Sequence, residues 1–390
     1  MTGATFYVGD VFDVLRSLPA DSVDLVLTSP PFLALRSYLP DDHADKGREI
    51  GQEGTPGEFL GTLLRLTSEL DRVLAPHGSL CVELGDSYSG AGGSGGDLAI
   101  RDKKTQVHRD TFVGRDDRDG WPLAKSLCGI PELYAFSLAY GRNLLTGEKS
   151  PAGMWRVRNL VRWVRPNPPV GALGDKFRPA TSTMTIACRA KDRWFDLDAV
   201  RTELKHPDAA GTDAKRRTAM VAGQPRTEMA SGSNPAGAPP LDWWEVPTQP
   251  YRGAHYATWP PALCVRPIES MCPREVCRTC GEPRRRLTEA AHDVAEQRPR
   301  RAAGMAAGSN ASRADRGAGG FLPTQTRTVG WSDCGHDDYR RGVVLDPFAG
   351  SGTTLAVATG HGRDAVGIDL DERNADLARE RVGMFLEVEQ

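Results

Sequence analysis

Short apolar runs that end at acidic or small residues recur along the chain and predict β-strands. They stand at both ends of the sequence, at residues 5–8, 23–27, 79–84, 343–345 and 364–369. Between them, residues 59–74 and 353–359 carry apolar side chains at the spacing of a helix. Strands that are apolar throughout belong in a sheet covered on both faces, and helices between strands make the connections parallel. The pattern therefore predicts an α/β protein with a doubly wound, mostly parallel sheet.

A loop rich in small residues joins the fourth strand to its helix and is the first candidate site. It reads Asp346-Pro-Phe-Ala-Gly-Ser-Gly-Thr353. Gly350 and Gly352 let the backbone approach a ligand closely, and the helix start presents free N–H groups. The loop lacks the glycine spacing of a dinucleotide site and the lysine of a phosphate loop. Asp369 ends the next strand, where a carboxylate can accept both hydroxyls of a ribose. A glycine turn in another kind of α/β domain is the alternative that the loop alone leaves open.

The second candidate site is Thr28-Ser29-Pro30-Pro31-Phe32, directly after the second strand. Prolines cannot continue a central strand, so the chain leaves the sheet where parallel sheets bind their ligands. The amine of cytosine or adenine is conjugated with its ring and attacks only when fixed acceptors draw on its protons. A carbonyl held by locked proline angles and the side chain before it are two such acceptors, and the following aromatic ring can stack on a flipped base. The plain alternative is that the two prolines only end a strand.

Together the two motifs resemble the class I DNA amino-methyltransferases, which use S-adenosylmethionine (AdoMet). Their order resembles the permuted, β-order arrangement, in which the catalytic half precedes the cofactor half. The resemblance covers most of residues 4–200 and 240–385 and implies a Rossmann-like sheet with an inserted target-recognition region. In that family a serine before Pro-Pro is typical of enzymes that methylate cytosine N4, and Asp or Asn is typical of adenine N6 enzymes.

The resemblance also implies a role for each motif residue. It implies that the target base and its amine contact Ser29, Pro30, Pro31 and Phe32. It also implies that Asp10 contacts the adenine of AdoMet and that Asp369 contacts its ribose. The other cofactor-binding residues it implies are Thr28, Asp346, Pro347, Phe348, Ala349, Gly350, Ser351, Gly352 and Thr353.

Three further features complete the comparison with the family. The segment 255–260, which begins at His255, resembles the part that holds the methionine end of AdoMet. Trp163 and Asn167 are candidates for the base pocket, although a packed side chain is the commoner role of a tryptophan. Thr183 and Met184 stand where many relatives carry an acid, so no catalytic role is expected there.

A possible metal site stands apart from these motifs. Cys277-Arg-Thr-Cys280-Gly is a knuckle of the kind that binds zinc, and Cys334-Gly-His336 can supply two further ligands. The separation of 53 residues between Cys280 and Cys334 makes the match to a zinc motif weak, and residues 289–326 within it look disordered. Unliganded thiols are the alternative, and Cys272 is a spare ligand. Methyl transfer to an amine needs no metal, so a zinc ion here is expected to be structural.

The predicted domain organisation follows the two motifs and the changes in composition. Residues 1–200 form the catalytic half, with a glycine-rich and charged insertion at 88–120, and residues 341–390 form the AdoMet-binding half. The predicted segments between them are a flexible or target-recognition segment at 201–242, a cofactor-side segment at 243–271 and a zinc-knuckle insertion at 272–340.

Charge and composition limit the class of partner. A net charge of −2 gives no overall basic signature, so DNA binding has to depend on a local patch such as Arg284–Arg286 with Arg298, Arg300 and Arg301. That these arginines form a solvated tail is an alternative with equal support. The absence of a signal peptide and of a long apolar run predicts a cytoplasmic protein without membrane partners.

The sequence as a whole predicts a DNA methyltransferase that flips a cytosine from the duplex and methylates its N4 amine with AdoMet. Adenine N6 methylation is the alternative within the same reaction, because a serine can accept a proton from either amine. A zinc-containing DNA-binding protein with an inactive methyltransferase fold is the alternative from a different class. DNA is the expected partner, and a cognate restriction or defence system is a candidate partner. The recognised DNA sequence and the oligomeric state are not predicted.

Overall fold

Strands and helices alternate along the chain much as the apolar pattern predicts. The computed structural model describes residues 3–90, 119–168, 175–203, 218–221, 224–227, 237–249, 258–291 and 325–389. The chain divides into two compact units, of which the larger comprises Met1–Asp196, Leu241–Arg284 and Cys334–Gln390. The smaller comprises Leu197–Pro240 and Arg285–Asp333.

A nine-stranded sheet forms the centre of the larger unit. Its strands are β1 (Ala4–Val8), β2 (Val23–Thr28), β3 (Leu74–Leu84), β4 (Arg156–Val164), β5 (Thr181–Cys188), β8 (Trp243–Glu245), β13 (Val343–Asp346), β14 (Asp364–Asp369) and β15 (Leu386–Glu389). They lie in the order β15-β1-β14-β13-β2-β3-β5-β4-β8. The strands from β15 to β3 are all parallel, β5 alone runs antiparallel to its neighbours β3 and β4, and β8 is parallel to β4.

Helices cover both faces of this sheet. They are α1 (Val11–Ser17), α2 (Pro56–Val73), α3 (Ile130–Tyr140), α4 (Pro261–Met271), α5 (Thr353–Gly360) and α6 (Arg373–Val382). The side chains of β2 alternate between two cores: Val26 packs with the core of α1, α2 and α3, and Leu25 and Leu27 pack with that of α4, α5 and α6. Two cores on opposite sides of one strand define the doubly wound arrangement and confirm the predicted fold class.

Helix α2 shows how local sequence sets an element. Thr55 and Glu58 form a capping box, and Pro56 occupies the first turn, where its missing N–H costs nothing. The helix ends at Val73, and β3 begins at once with Leu74. The strand predicted at residues 79–84 therefore extends back to Leu74. The register of the β2–β3 ladder shifts between its pairs at Leu74 and Ser79, so Pro76 lies in the strand where no ladder hydrogen bond is required of it.

The smaller unit contains two hairpins. Strands β6 (Thr218–Val221) and β7 (Gln224–Thr227) form one, and β10 (Arg286–Ala291) and β11 (Gln325–Trp331) form the other. The sequence predicted disorder over residues 289–326. That prediction was wrong for 289–291 and 325–326, which lie in strands, and residues 292–324 lie outside the described residues.

A third short pair, β9 (Glu275–Cys277) and β12 (Tyr339–Arg341), belongs to the larger unit and adjoins the amino end of β13. It is held there by Asp24, a fully buried carboxylate at the start of β2. Asp24 accepts hydrogen bonds from Arg340 at 2.5 and 3.0 Å, from the backbone N–H of Val343 at 2.8 Å, and bonds the His77 ring at 2.8 Å. One buried charge therefore joins four segments of chain at the amino edge of the sheet.

No helix among the described residues is both long and apolar enough to cross a membrane.

Candidate active site

The two motifs meet at the carboxyl edge of the sheet. Strands β2 and β13 are parallel neighbours, with Leu345 opposite Val26, so the segments that follow them emerge side by side. The Thr28 hydroxyl donates to Asp346 at 2.7 Å. A single pocket there is lined by Ser29, Thr258, Trp259, Asp346, Phe348, Ala349, Gly350, Ser351 and Thr353. The structure therefore brings Ser29 and the small-residue loop to the same cavity.

Asp346 holds the start of the loop through hydrogen bonds. Both of its oxygens are engaged, one by Thr28 and by the backbone N–H of Phe348 at 3.1 Å, the other by the Thr354 hydroxyl at 2.6 Å. Burial raises the pKa of this carboxyl to about 6, although the two hydroxyls and the amide lower it. With its acceptor sites occupied by the protein, Asp346 shapes the pocket wall and fixes where the loop begins.

Asp369 holds the same loop from the neighbouring strand. Its Oδ2 accepts the N–H of Gly350 at 2.8 Å, and its Oδ1 accepts from the backbone of Asp371 and the Asn374 amide at 2.9 and 3.0 Å. Burial raises its pKa above the usual range for an aspartate. The carboxylate is thus held in a fixed orientation beside Gly350, which lines the pocket, and its predicted contact with a ribose stays a prediction.

Gly352 is required by the packing of the helix that follows. Its φ of +74° lies in the left-handed region, and a Cβ there would come within 2.9 Å of the Cβ of Ala378 on α6. The small residue lets α5 begin beside α6. The N–H groups of its first turn therefore stay close to the pocket.

Asp10 lies at the carboxyl end of β1 and caps helix α1. Its Oδ1 accepts the N–H of Phe12 at 3.0 Å and of Asp13 at 3.3 Å. The adjacent Gly9 donates its N–H to the Asp369 carbonyl at 2.9 Å, which holds the two strand ends together. The predicted contact of Asp10 with adenine stays a prediction, and its other oxygen faces Arg48 at 4.0 Å.

Ser29 has a buried partner that sequence reasoning missed. Its hydroxyl donates to Oε2 of Glu83 on β3 at 2.6 Å. Glu83 is only 3% exposed, and burial raises its pKa, while hydrogen bonds from Ser182 and Ser29 and the charge of Arg165 lower it. The signal was present in the sequence, because an ionisable residue inside the apolar run 79–84 is costly unless it serves a partner.

This hydrogen bond sets the chemistry that Ser29 can offer. A hydroxyl has one proton and two lone pairs. Since the hydroxyl proton is committed to Glu83, the lone pairs of Oγ can accept a hydrogen bond from an N–H group of a ligand in the pocket. Ser29 is thereby oriented as an acceptor, which is the role that an amine substrate requires.

The rest of the catalytic motif lies on the same segment. Pro30 is buried, and Pro31 and Phe32 are partly exposed. The Phe32 ring packs against the backbone at Gly85, where a Cβ would lie 2.5 Å from the ring. A residue larger than glycine at position 85 would displace the ring, so the strand end of β3 sets the place of Phe32.

The two candidates for the base pocket bond the segment after β8, and their predicted place at the base stays a prediction. Trp163 is 6% exposed and donates its ring N–H to the Val246 carbonyl at 2.8 Å. Asn167 exchanges two hydrogen bonds with the backbone of Thr248, at 2.9 and 3.1 Å. Both tie the end of β4 to the segment after β8. His255 lies outside the described residues.

The basic patch is engaged locally where the structure describes it. Arg284 bonds Glu275 at 2.8 Å and lies over the Tyr339 ring, and Arg286 lies over the Trp331 ring. Arg285 donates its backbone N–H to the Ser332 hydroxyl at 2.8 Å. Arg298, Arg300 and Arg301 lie outside the described residues. The four predicted metal ligands lie together, with their ligand atoms all within 4.8 Å of one another.

The chain is similar to known proteins over most of its length. A family model of DNA methylases, the N6/N4 methyltransferases, matches residues 23–275 and 338–380. The Type II methyltransferase M.Cfr9I of Citrobacter freundii is 28% identical over 382 residues, which cover 98% of this chain and 88% of that protein. The Type II methyltransferase M.SmaI of Serratia marcescens is 24% identical over 375 residues, 96% of this chain and 89% of that protein. Among solved structures, the PvuII DNA methyltransferase (cytosine-N4-specific) aligns over 97% of this chain and 86% of its own, at 14% identity and a TM-score of 0.49.

Proposed function

Since the chain belongs to the N6/N4 family of DNA methylases, we propose that it transfers the methyl group of AdoMet to the N4 amine of cytosine in DNA. The observation that carries the proposal is the hydrogen bond from Ser29 to Glu83 at the wall of the pocket. It supports the role of Ser29, directly before Pro30-Pro31, as the acceptor for the amine. The serine at this position, in place of Asp or Asn, is what favours cytosine N4 over adenine N6.

The residues of the chain would act mainly by position and polarity. One proton of the amine is directed to Ser29 Oγ and the other to the Pro30 carbonyl, so that the nitrogen lone pair points away from both. Phe32 would stack on the flipped base, and the loop from Phe348 to Thr353 would hold AdoMet. Bound AdoMet would supply a methyl group on a positively charged sulfur. The amine nitrogen would gain the methyl group as the C–S bond breaks with its electron pair on sulfur, and the surplus amine proton would leave to water.

The modified base decides between the two members of the family. The gene should be expressed in a host that lacks DNA methylation, and the genomic DNA digested to nucleosides for mass spectrometry. N4-methylcytosine is the expected product, and it should be strongly reduced in DNA of a matched Ser29→Ala strain. N6-methyladenine would retain the family and overturn the base assignment. If neither base appears, and the purified protein leaves varied DNA unmodified, the proposed reaction fails.

Glu83 provides a second prediction. Replacing Glu83 with glutamine is expected to lower kcat/KM for DNA roughly 100-fold, because the amide can donate to Ser29 and turn its hydroxyl proton into the pocket. Thermal stability at pH 8 should be kept or rise, since burial disfavours the charged form of Glu83 in the folded protein. Methylation kinetics and differential scanning fluorimetry measure the two effects. Glu69→Gln, on a partly exposed site of α2, is the control and should change neither.

The pH profile separates this positioning role from a structural one. The pKa of Glu83 is raised, so the carboxylate that accepts the Ser29 proton should be lost on acidification at a higher pH than for an ordinary glutamate. We expect kcat/KM of the wild type to fall through that pH, and the Glu83→Gln variant to lack this limb. An identical profile in both proteins would contradict the role given to Glu83.

A further inference from the structure

Four side chains at the ends of β9 and β12 form a cluster that methyl transfer does not use. Cys277 closes β9 opposite Tyr339 of β12. Gly281 and Gly335 have φ of +73° and +80°, so left-handed turns directly follow Cys280 and Cys334. The first turn returns the N–H of Gly281 to the Cys277 carbonyl at 3.0 Å, and that of Cys280 to the Cys277 sulfur at 3.4 Å. The backbone is thus folded so that both short motifs present their side chains to one point.

The spacing of the ligand atoms suits one small ion. The four atoms lie within 4.8 Å of one another, and Cys277 Sγ lies 3.6 Å from His336 Nδ1. Around a tetrahedral zinc, with bonds of about 2.3 Å to sulfur and 2.0 Å to nitrogen, neighbouring ligand atoms stand about 3.5–3.8 Å apart. A set of three thiolates and one imidazole matches the closed ligand sets of structural zinc sites. It leaves no position open for a substrate.

Exposure separates this cluster from the other cysteines. The remaining thiols, Cys81, Cys128, Cys188, Cys264 and Cys272, are all buried as small apolar groups, but Cys280 and Cys334 are exposed. An unliganded cysteine is usually among the most buried residues of a protein. Packing therefore gives no reason for two exposed thiols beside a buried one and a histidine.

We infer that Cys277, Cys280, Cys334 and His336 bind one structural zinc ion. The site lies in residues 276–337, between the two segments that the family model matches, so it is a feature of this chain in addition to the methylase fold. Arg340 of β12 bonds Asp24 at the start of β2, whereas Ser29 follows the opposite end of that strand. Five residues of extended chain span about 16 Å, which places the ion away from the reacting amine.

The position of the ligands along the chain indicates what the ion does. The segment Arg285–Asp333 begins five residues after Cys280 and ends one residue before Cys334. The ion joins the two ends of this long segment. Metal coordination therefore offsets the entropic cost of closing the segment, together with the short β9–β12 pair. The pair in turn keeps Arg340 in place over Asp24.

The test measures metal, and does not depend on methylation. Protein purified under reducing conditions without a metal-affinity tag should contain close to one zinc per chain by inductively coupled plasma mass spectrometry. His336→Ala and Cys280→Ser, both at exposed positions, should reduce zinc content at least fivefold. His336→Cys preserves a four-ligand set and should retain the ion, and Cys188→Ala, a cysteine outside the cluster, is the matched control that should also retain it.

Cobalt absorption and chelation test the zinc site further. Cobalt in place of zinc should give the intense visible absorption of a tetrahedral, thiolate-bound ion, and this should vanish in His336→Ala. Chelation of the wild type should lower its melting temperature and leave that of Cys280→Ser unchanged. Zinc well below one per chain, equal zinc in all variants, or a disulfide between two of the three cysteines in freshly purified protein would each refute the site.

Discussion

Replacing Ser29 with alanine is expected to lower the rate constant of methyl transfer roughly 100-fold to 1,000-fold, the usual effect of removing one polar group that acts in the transition state. The change removes the acceptor that Glu83 orients at 2.6 Å and leaves the amine to the Pro30 carbonyl alone. Single-turnover methylation of DNA with saturating enzyme and labelled AdoMet measures this step. AdoMet affinity by calorimetry should change less than about threefold, because Asp346 and Asp369 still hold the loop.

Ser22→Ala is the matched control for this prediction. Ser22 precedes the other end of β2, and its hydroxyl donates only to the Pro19 carbonyl at 2.7 Å. This variant should methylate DNA at the wild-type rate. If Ser29→Ala kept full activity, or lost AdoMet binding together with activity, Ser29 would not be the acceptor for the amine.

Replacing Asp24 with asparagine is expected to lower the free energy of unfolding by about 3–5 kcal/mol, the typical cost of breaking a buried ion pair from one side. The carboxylate is fully buried and is the shared acceptor for Arg340, His77 and the N–H of Val343. Asparagine presents a donor to groups that are themselves donors and leaves the arginine without its counter-charge. Urea unfolding followed by tryptophan fluorescence at pH 7 measures the change.

Asp13→Asn is the control for this second prediction. Asp13 makes the same kind of contact with Arg16 and Arg48, at 3.0 and 2.8 Å, but its side chain is 52% exposed. Surface ion pairs contribute little, so this variant should lose less than about 1 kcal/mol. Equal losses in the two variants would show that burial of the Asp24 network does not carry the effect.

The pH dependence of the Asp24 effect has a definite sign. Burial raises the pKa of Asp24, but the hydrogen bonds and charges of His77 and Arg340 outweigh it, so the pKa is lowered. Its stabilisation is therefore present above the pKa of the unfolded chain and is lost as the pH falls through the lower, folded pKa. Asp346 behaves in the opposite way: its pKa is raised to about 6, so its contribution falls as the pH rises through that value. The stability gap between wild type and Asp24→Asn should thus narrow in strong acid.

The family and the principal elements followed from the sequence alone. Apolar runs fix which segments are strands because buried strands need apolar side chains on both faces. Gly352 marks a loop because glycine readily adopts a left-handed backbone, and the Pro30-Pro31 pair marks one because proline cannot continue a central strand. These signals lie within a few residues of one another, and the match of the N6/N4 family model to residues 23–275 and 338–380 confirms the family that they predicted.

The partnerships inside the protein were decided only by the tertiary structure. Ser29 and Glu83 are 54 residues apart in sequence, Asp24 and Arg340 are 316 apart, and Thr28 and Asp346 are 318 apart. The free energy of a buried carboxylate depends on the donors that distant segments bring to it, and periodicity carries no record of those donors. Trp163 likewise has its hydrogen-bond acceptor, the Val246 carbonyl, 83 residues further along the chain. Local chemistry determined which segments are strands and loops, and the sheet order determined which side chains meet.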